Sequence, residues 1–219
     1  MIESRKVTFL EKAMASKDTN NLRRALERVF TQVQVDYAFK RYCIGTWSDG
    51  TTVFPQIDIN GVVGTGKIIQ YEPIDGTLIK GKVSWIHVIT ETPKPSQQHL
   101  LGEHLLAGNT KKVVLVESER DAVIASIVWP GCIVVACGGM YMLKPDLCAV
   151  LSGRDVALIP SRGRYTLWEK KGVAMRSMFR SLRITDLMER CQEGCISIGD
   201  LILKRYSNIK DIDFDWEIL

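Results

Sequence analysis

The pattern of apolar and polar positions divides the chain into two parts of different character. Between residues 45 and 90, short segments of alternating character are separated by Asp-Gly and Asn-Gly turn signals. The dipeptide Asn60-Gly61 is a strong hairpin signal, because both residue types accept the positive φ angles of a type I′ turn. The pattern therefore predicts an antiparallel meander, with strands over residues 51–59, 62–71, 77–79 and 83–89.

Helical spacing of apolar residues precedes and follows this meander. Leu22, Leu26, Val29 and Phe30 share one face of a predicted helix over residues 20–30, with Thr19 or Asn20 as its N-cap. The same spacing predicts further helices over residues 32–42, 165–178 and 198–206. A short strand is predicted over residues 180–184.

The second half of the chain contains three continuous apolar runs, residues 113–116, 133–136 and 156–159, separated by helical spacing. Runs of this kind are typical of parallel strands that are buried on both faces. Right-handed crossovers would make the three strands neighbours in one sheet. Glu117 and Ser161 follow two of the runs, so we expect both at the sheet edge where α/β folds carry ligands.

The predicted fold class is α/β, with a parallel sheet flanked by helices. A small antiparallel β module with N-terminal helices precedes it. The Pro-rich patch at residues 92–96 is the expected boundary. The predicted domains are residues 1–92, residues 97–190, and a C-terminal helix with an acidic tail over residues 191–219.

Residues 116–122, read as VESERDA, and residues 135–139, read as VACGG, resemble two signatures of the toprim domain of topoisomerases and primases. Residues 54–58, 65–68 and 102–106 resemble segments of primase-related, toprim-containing proteins of bacterial mobile elements. The resemblance implies a toprim-like sheet, with Glu117 as general acid/base. It also implies an Asp-x-Asp motif after the third strand, which would hold Mg²⁺.

The chain departs from this motif, because Ser161, Arg162 and Gly163 stand where the two aspartates belong. The family's metal site is therefore predicted to be lost, so no metal or cofactor is expected. An active site that still uses Mg²⁺ would need Glu117 to be joined by other acids, with Asp146, Asp155 and Asp186 as candidates.

Basic residues cluster after the third run, and a glycine-rich segment precedes a further lysine. We predict that Arg162 and Arg164, followed by Lys170 and Lys171, contact phosphates of a nucleic acid. Tyr165 and Trp168 lie among them and are either stacking platforms or, for Trp168, part of the core. Residues 61–67 match the spacing of a P-loop, but Ile68 and a strand-like continuation favour a hairpin that presents Lys67.

The net charge and composition are compatible with nucleic-acid binding but do not establish it. The 219 residues carry a formal net charge of +4, which permits nucleic-acid binding but does not require it. No apolar run has the length of a membrane span and the N-terminus has no signal-peptide pattern, so the expected location is the cytoplasm. The six cysteines, mostly in apolar contexts, are expected to be reduced.

Three functional hypotheses follow. The first is a catalytically degenerate toprim-like protein that binds nucleic acid during replication or transfer of a mobile element, with a primase or helicase partner. The second is an active Mg²⁺-dependent phosphotransfer enzyme of the primase or nuclease type. The third is a protein–protein interaction or inhibitor module that reuses the fold. The missing aspartates favour the first hypothesis over the second.

Overall fold

The computed structural model describes residues 2–16, 19–191 and 194–208. The chain divides into two compact units, Met1–His99 and Leu100–Leu219. None of the helices in the described ranges is long and apolar enough to cross a membrane.

The first unit begins with the helices α1 (Ile2–Ala15), α2 (Asn21–Leu26) and α3 (Gln32–Arg41). The Asn20 side chain accepts a 3.0 Å hydrogen bond from the Arg23 amide, so Asn20 is the N-cap of α2 as predicted. Helix α2 is shorter than predicted, because the backbone bends into turns after Leu26. Helix α1 is not among the helices predicted from the apolar pattern, although its residues Phe9, Leu10 and Ala13 are buried.

The sheet of the first unit consists of β1 (Gly45–Thr46), β2 (Thr52–Ile57), β3 (Val63–Tyr71) and β4 (Leu78–Trp85). These four strands are antiparallel and lie in sequence order, which confirms the predicted meander. The Asp58 carboxylate accepts hydrogen bonds from the Asn60 and Val62 amides and shapes the β2–β3 turn.

The end of the meander differs from the prediction. Residues 77–79 and 83–89 were predicted as two strands, but most of this stretch is the single strand β4, in which Gly81 has a φ of 76°. The strand ends at Trp85, and Ile86–Ile89 form the short helix α4. Both the amide and the hydroxyl of Thr90 donate to the Ile86 carbonyl, which closes this turn.

The second unit contains β5 (Val113–Val116), β6 (Ile133–Ala136), β7 (Asp155–Ile159) and β8 (Ser181–Ile184). Their order is β6-β5-β7-β8, and every neighbouring pair is parallel. The predicted parallel arrangement of the three apolar runs is therefore confirmed. The helices of this unit are α5 (Glu119–Val128), α6 (Pro145–Cys148), α7 (Tyr165–Ala174), α8 (Leu187–Arg190) and α9 (Ile198–Asn208).

Burial explains why the strands of the second unit read as continuous apolar runs. All side chains of β5 and β6 are buried, as expected for a parallel sheet covered on both faces. Trp168 of α7 is fully buried in this core, and its indole N–H donates to the Met140 carbonyl over 3.2 Å. The structure thus assigns Trp168 to the core and not to a stacking surface.

Helix α9 is fixed to the N-terminal part of α5 by polar contacts. The Ser197 hydroxyl donates a 2.8 Å hydrogen bond to the buried Asp121 carboxylate. Arg120 and Asp200 form an ion pair over 2.8 Å. The chain after α9, residues 209–219, which contain most of the predicted acidic tail, lies outside the described residues.

Candidate nucleic-acid interface

The C-terminal edge of the parallel sheet brings together the ends of β5 and β7. Val116 and Ile159 are register partners in these parallel strands, so Glu117 and the segment from Pro160 to Ser161 leave the sheet at the same edge. Glu117 is half-buried. The next residue, Ser118, accepts a hydrogen bond from the Asp121 amide and caps α5. This is the arrangement predicted from the apolar pattern.

The residues at this edge do not fit a magnesium site. Mg²⁺ binds oxygen ligands, and one carboxylate alone is a weak site for it. The segment after β7 reads Ser161, Arg162 and Gly163, and none of these residues carries a carboxylate. Among residues 2–16, 19–191 and 194–208, no three His, Cys, Asp or Glu side chains are grouped so that they could hold a metal ion.

The other acids considered as partners of Glu117 have different surroundings. Asp155 begins β7 and therefore lies at the opposite, N-terminal edge of the sheet. Hydrogen bonds from Arg180 and Ser181 hold the pKa of this carboxyl well below its usual range. Asp186 forms an ion pair with Arg190 over 2.7 Å. Asp155 is thus excluded from a site with Glu117 by its position in the strand.

Arg162 makes contacts that the sequence did not reveal. Its Nε donates a 3.1 Å hydrogen bond to the Met188 carbonyl, and its terminal nitrogen donates to the Cys191 carbonyl. Its amide donates to the Ile196 carbonyl over 2.8 Å. Arg162 therefore ties the end of β7 to the segment that contains α8, and part of its donor capacity is used inside the protein.

The basic residues of α7 differ in how much of their charge faces solvent. Lys170 is exposed, and Arg164 is partly exposed with only a 3.4 Å contact to its neighbour's carbonyl. Lys171 donates to the Tyr141 carbonyl over 3.0 Å. The Tyr165 hydroxyl donates to Glu169 over 2.7 Å. Arg164 and Lys170 are accordingly the cations of this group that are most available to an anion.

Glu189 is part of this edge, although no motif or pattern in the sequence marks it. Its carboxylate accepts hydrogen bonds from the amides of Gly163, over 2.8 Å, and Tyr165, over 3.2 Å. These amides lie at the start of α7, where the helix dipole favours a negative charge. The edge therefore combines cations with the carboxylates of Glu117 and Glu189, and no local sequence signal links Glu189 to residues so far upstream.

Lys67 belongs to the first unit, whereas the sheet edge formed by β5 and β7 belongs to the second. It lies on β3, in register between Phe54 of β2 and Trp85 of β4. Its Nζ is 5.8 Å from the centroid of the Trp85 ring, a cation–π distance. The glycine-rich segment that precedes it is part of the β2–β3 hairpin. The P-loop spacing in residues 61–67 is thus coincidental, as predicted.

Burial keeps the thiols of two cysteines in the core of the second unit protonated. Cys137 and Cys148 are buried and free of disulfides. Burial raises the pKa of Cys137 to about 12 and that of Cys148 to about 11. Both thiols therefore remain protonated near neutral pH and behave as small apolar core residues.

The chain matches one family model, and its fold is similar to that of several solved primase structures. A family model described as a domain of unknown function, DUF6371, matches residues 20–162. No curated protein has a significantly similar sequence. Among solved structures, the E. coli primase catalytic core is similar with a TM-score of 0.60 and 13% identity, over 93% of this chain and 76% of that one.

Two further solved structures have the same fold. A DnaG primase catalytic domain bound to single-stranded DNA is similar with a TM-score of 0.60 and 13% identity, over 93% of this chain and 74% of that one. The primase fragment of the bacteriophage T7 primase-helicase has a TM-score of 0.53 and 18% identity. That match covers 78% of this chain and 66% of the T7 fragment, slightly less than two thirds. The chain therefore has a primase-related, toprim-like fold.

Proposed function

The chain belongs to the DUF6371 family, and we propose that it is a primase-related protein that binds nucleic acid without Mg²⁺-dependent catalysis. The observation that carries this proposal is the composition of the C-terminal sheet edge. Arg162 and Arg164 follow β7 there, and among the residues that the structure describes no two further acids join Glu117 in a group that could hold a metal ion. A guanidinium group meets a phosphate directly, without a bridging metal ion.

The similar structures support the choice of ligand. One of the DnaG primase domains with this fold is bound to single-stranded DNA. T7 primase domains of the same fold are bound to an RNA/DNA hybrid, in an assembly with a DNA polymerase. We propose that this chain likewise contacts the backbone of a nucleic acid, with Arg164 and Lys170 as the principal phosphate contacts at the sheet edge.

The proposed setting is the replication or transfer of a mobile element, in which the chain works beside a primase or helicase partner. A protein that binds a strand but does not extend or cut it needs such a partner to act on nucleic acid. Co-purification of the chain with a primase or helicase from the same mobile element tests this part. A failure of the two proteins to associate, with and without nucleic acid, would contradict it.

Binding is tested by fluorescence anisotropy with labelled oligo-dT, duplex DNA and RNA over a range of salt concentrations. The double variant Arg164→Ala/Lys170→Ala should weaken binding and lower the salt slope for duplex by about two, since each phosphate contact contributes roughly one unit. The control Lys112→Ala/Arg180→Ala removes the same charge at the opposite sheet edge and should change the slope little.

Two outcomes would contradict the proposal. If the wild-type chain binds none of the three probes at low salt, the interaction or inhibitor function takes its place. If both double variants weaken binding equally, the attraction is a general effect of net charge and not of this edge.

A further inference from the structure

The first unit has a pocket of about 150 Å³ beside its sheet, far in sequence from the basic residues that follow β7. It is lined by aromatic, basic and polar side chains, namely Thr65, Trp85, His87, Lys94, Pro95 and Gln98. The Trp85 and His87 rings have centroids 5.8 Å apart and planes inclined by 41°. Strand β4 and helix α4 meet between these two residues, which is why both rings reach the same pocket.

His87 is held in a defined orientation. Its Nδ1 is 2.8 Å from the hydroxyl of Thr65, a residue that is 1% exposed on the central strand β3. With Nδ1 engaged by this hydroxyl, Nε2 is the ring nitrogen left to contact a ligand. The Thr65–His87 pair therefore presents a fixed imidazole edge at the pocket wall.

Positive charge surrounds this imidazole. Burial lowers the pKa of His87, and the charges of Lys6 and Lys94 lower it further. Lys6 lies on α1, and its Nζ donates to the Gly64 carbonyl over 2.6 Å. Lys94 is exposed at the mouth of the pocket, and Lys67 adds a third cation above the Trp85 ring.

We propose that this pocket binds a phosphate group of a single-stranded nucleic acid, with the adjacent base stacked on Trp85. Lys94 and protonated His87 would contact the phosphate. A single strand is favoured over a duplex, because a base must be unpaired and accessible to stack on an aromatic ring. The inference rests on the proposed function and adds a second, separate contact site to it.

A pH dependence follows from the same geometry. The charges that act on His87 come from Lys6 and Lys94, and both disfavour its protonation in the free protein. A bound phosphate supplies the opposite charge and raises the pKa of His87 in the complex. Binding therefore takes up a proton, so affinity increases as the pH falls through the pKa of His87 in the complex and levels off below the lowered pKa of His87 in the free protein.

The test measures oligo-dT binding to the full chain by fluorescence anisotropy. Lys94→Ala should weaken binding several-fold, and Trp85→Leu should weaken it roughly tenfold through loss of stacking. His87→Gln should remove the increase in affinity at acid pH. The matched control is Lys82→Ala, which removes an exposed charge from β4 outside the pocket lining and should leave the affinity unchanged.

Inorganic phosphate as a competitor distinguishes a nucleic-acid site from a simple anion site. If phosphate competes with oligo-dT and Trp85→Leu has no effect, no base is recognised and the proposal is overturned. It is also overturned if Lys94→Ala and Lys82→Ala bind alike while Arg164→Ala/Lys170→Ala binds weakly, and the proposed function then stands. A wild-type chain that binds no nucleic acid overturns both proposals.

Discussion

Arg162 donates a 3.1 Å hydrogen bond from Nε to the main-chain carbonyl of Met188. The same guanidinium also donates to the Cys191 carbonyl. A basic residue that was predicted to contact phosphate thus fixes a neighbouring segment of the protein's own backbone. Its charge remains at the sheet edge, but its orientation is set by these carbonyls.

We expect Arg162→Ala to destabilise the second unit by about 1–3 kcal/mol, because it removes hydrogen bonds from a charged donor to two carbonyls. Arg164→Ala lacks comparable internal contacts and should cost less than about 0.5 kcal/mol. The free energy of unfolding is measured by urea denaturation of both variants. Equal stability of the two variants would contradict a structural role for Arg162.

The different contacts of Arg162 and Arg164 could not be predicted from the sequence. Both stand in one short basic segment, and their spacing predicts phosphate contacts equally for both. Which of them bonds to backbone depends on where residues 188–191 lie, and that position is set by the packing of α8. The hydrogen bonds of Glu189 with the amides of Gly163 and Tyr165 cannot be predicted from the sequence for the same reason.

The parallel sheet, in contrast, could be predicted from the sequence. Strands buried on both faces must be apolar at every position, which makes residues 113–116 and 133–136 recognisable without their partners. The apolar pattern fails to identify the structure of Ile86–Ile89. Three of these four residues are β-branched, which is typical of a strand, but the segment forms the helix α4. Short apolar segments do not distinguish the two structures, and here tertiary contacts decide.

Gly199→Ala should loosen the attachment of α9 to α5. A Cβ atom at this position would lie 2.2 Å from the Asp121 carboxylate, which the Ser197 hydroxyl holds in place. We expect a loss of about 1–3 kcal/mol in the free energy of unfolding from this overpacking. The control is Gly131→Ala, since a Cβ there meets nothing within 4 Å. A stability of Gly199→Ala equal to that of the control would contradict the tight packing.

Asp121 should make the stability of the second unit depend on pH. Burial raises the pKa of this carboxyl above its ordinary value of 3.8, although Arg120 and the hydrogen bonds from Ser118 and Ser197 oppose the effect. The folded state therefore binds the proton more tightly than the unfolded state. The resulting stabilisation is present below pH 3.8 and is lost as the pH rises through the folded-state pKa.

Asp121→Asn removes this titration but keeps an oxygen that accepts from Ser197. The stability of wild type relative to Asp121→Asn should thus decrease as the pH rises from acid towards neutral. Urea denaturation of both proteins at a series of pH values measures the difference. A difference that is constant over this range, or that increases with pH, would show that the protonation of Asp121 is not linked to folding.

The last prediction concerns catalysis at the sheet edge. The purified chain should neither synthesise primers nor cleave nucleic acid when Mg²⁺ is added, because within the described part of the chain no acidic pair joins Glu117 to complete a metal site. Glu117→Gln should bind oligo-dT within about twofold of wild type, since losing one carboxylate removes no phosphate contact. An active primase assayed in parallel serves as the positive control for the synthesis reaction. Product formation that requires a divalent ion and disappears in Glu117→Gln would establish the phosphotransfer enzyme in place of the proposed binding protein.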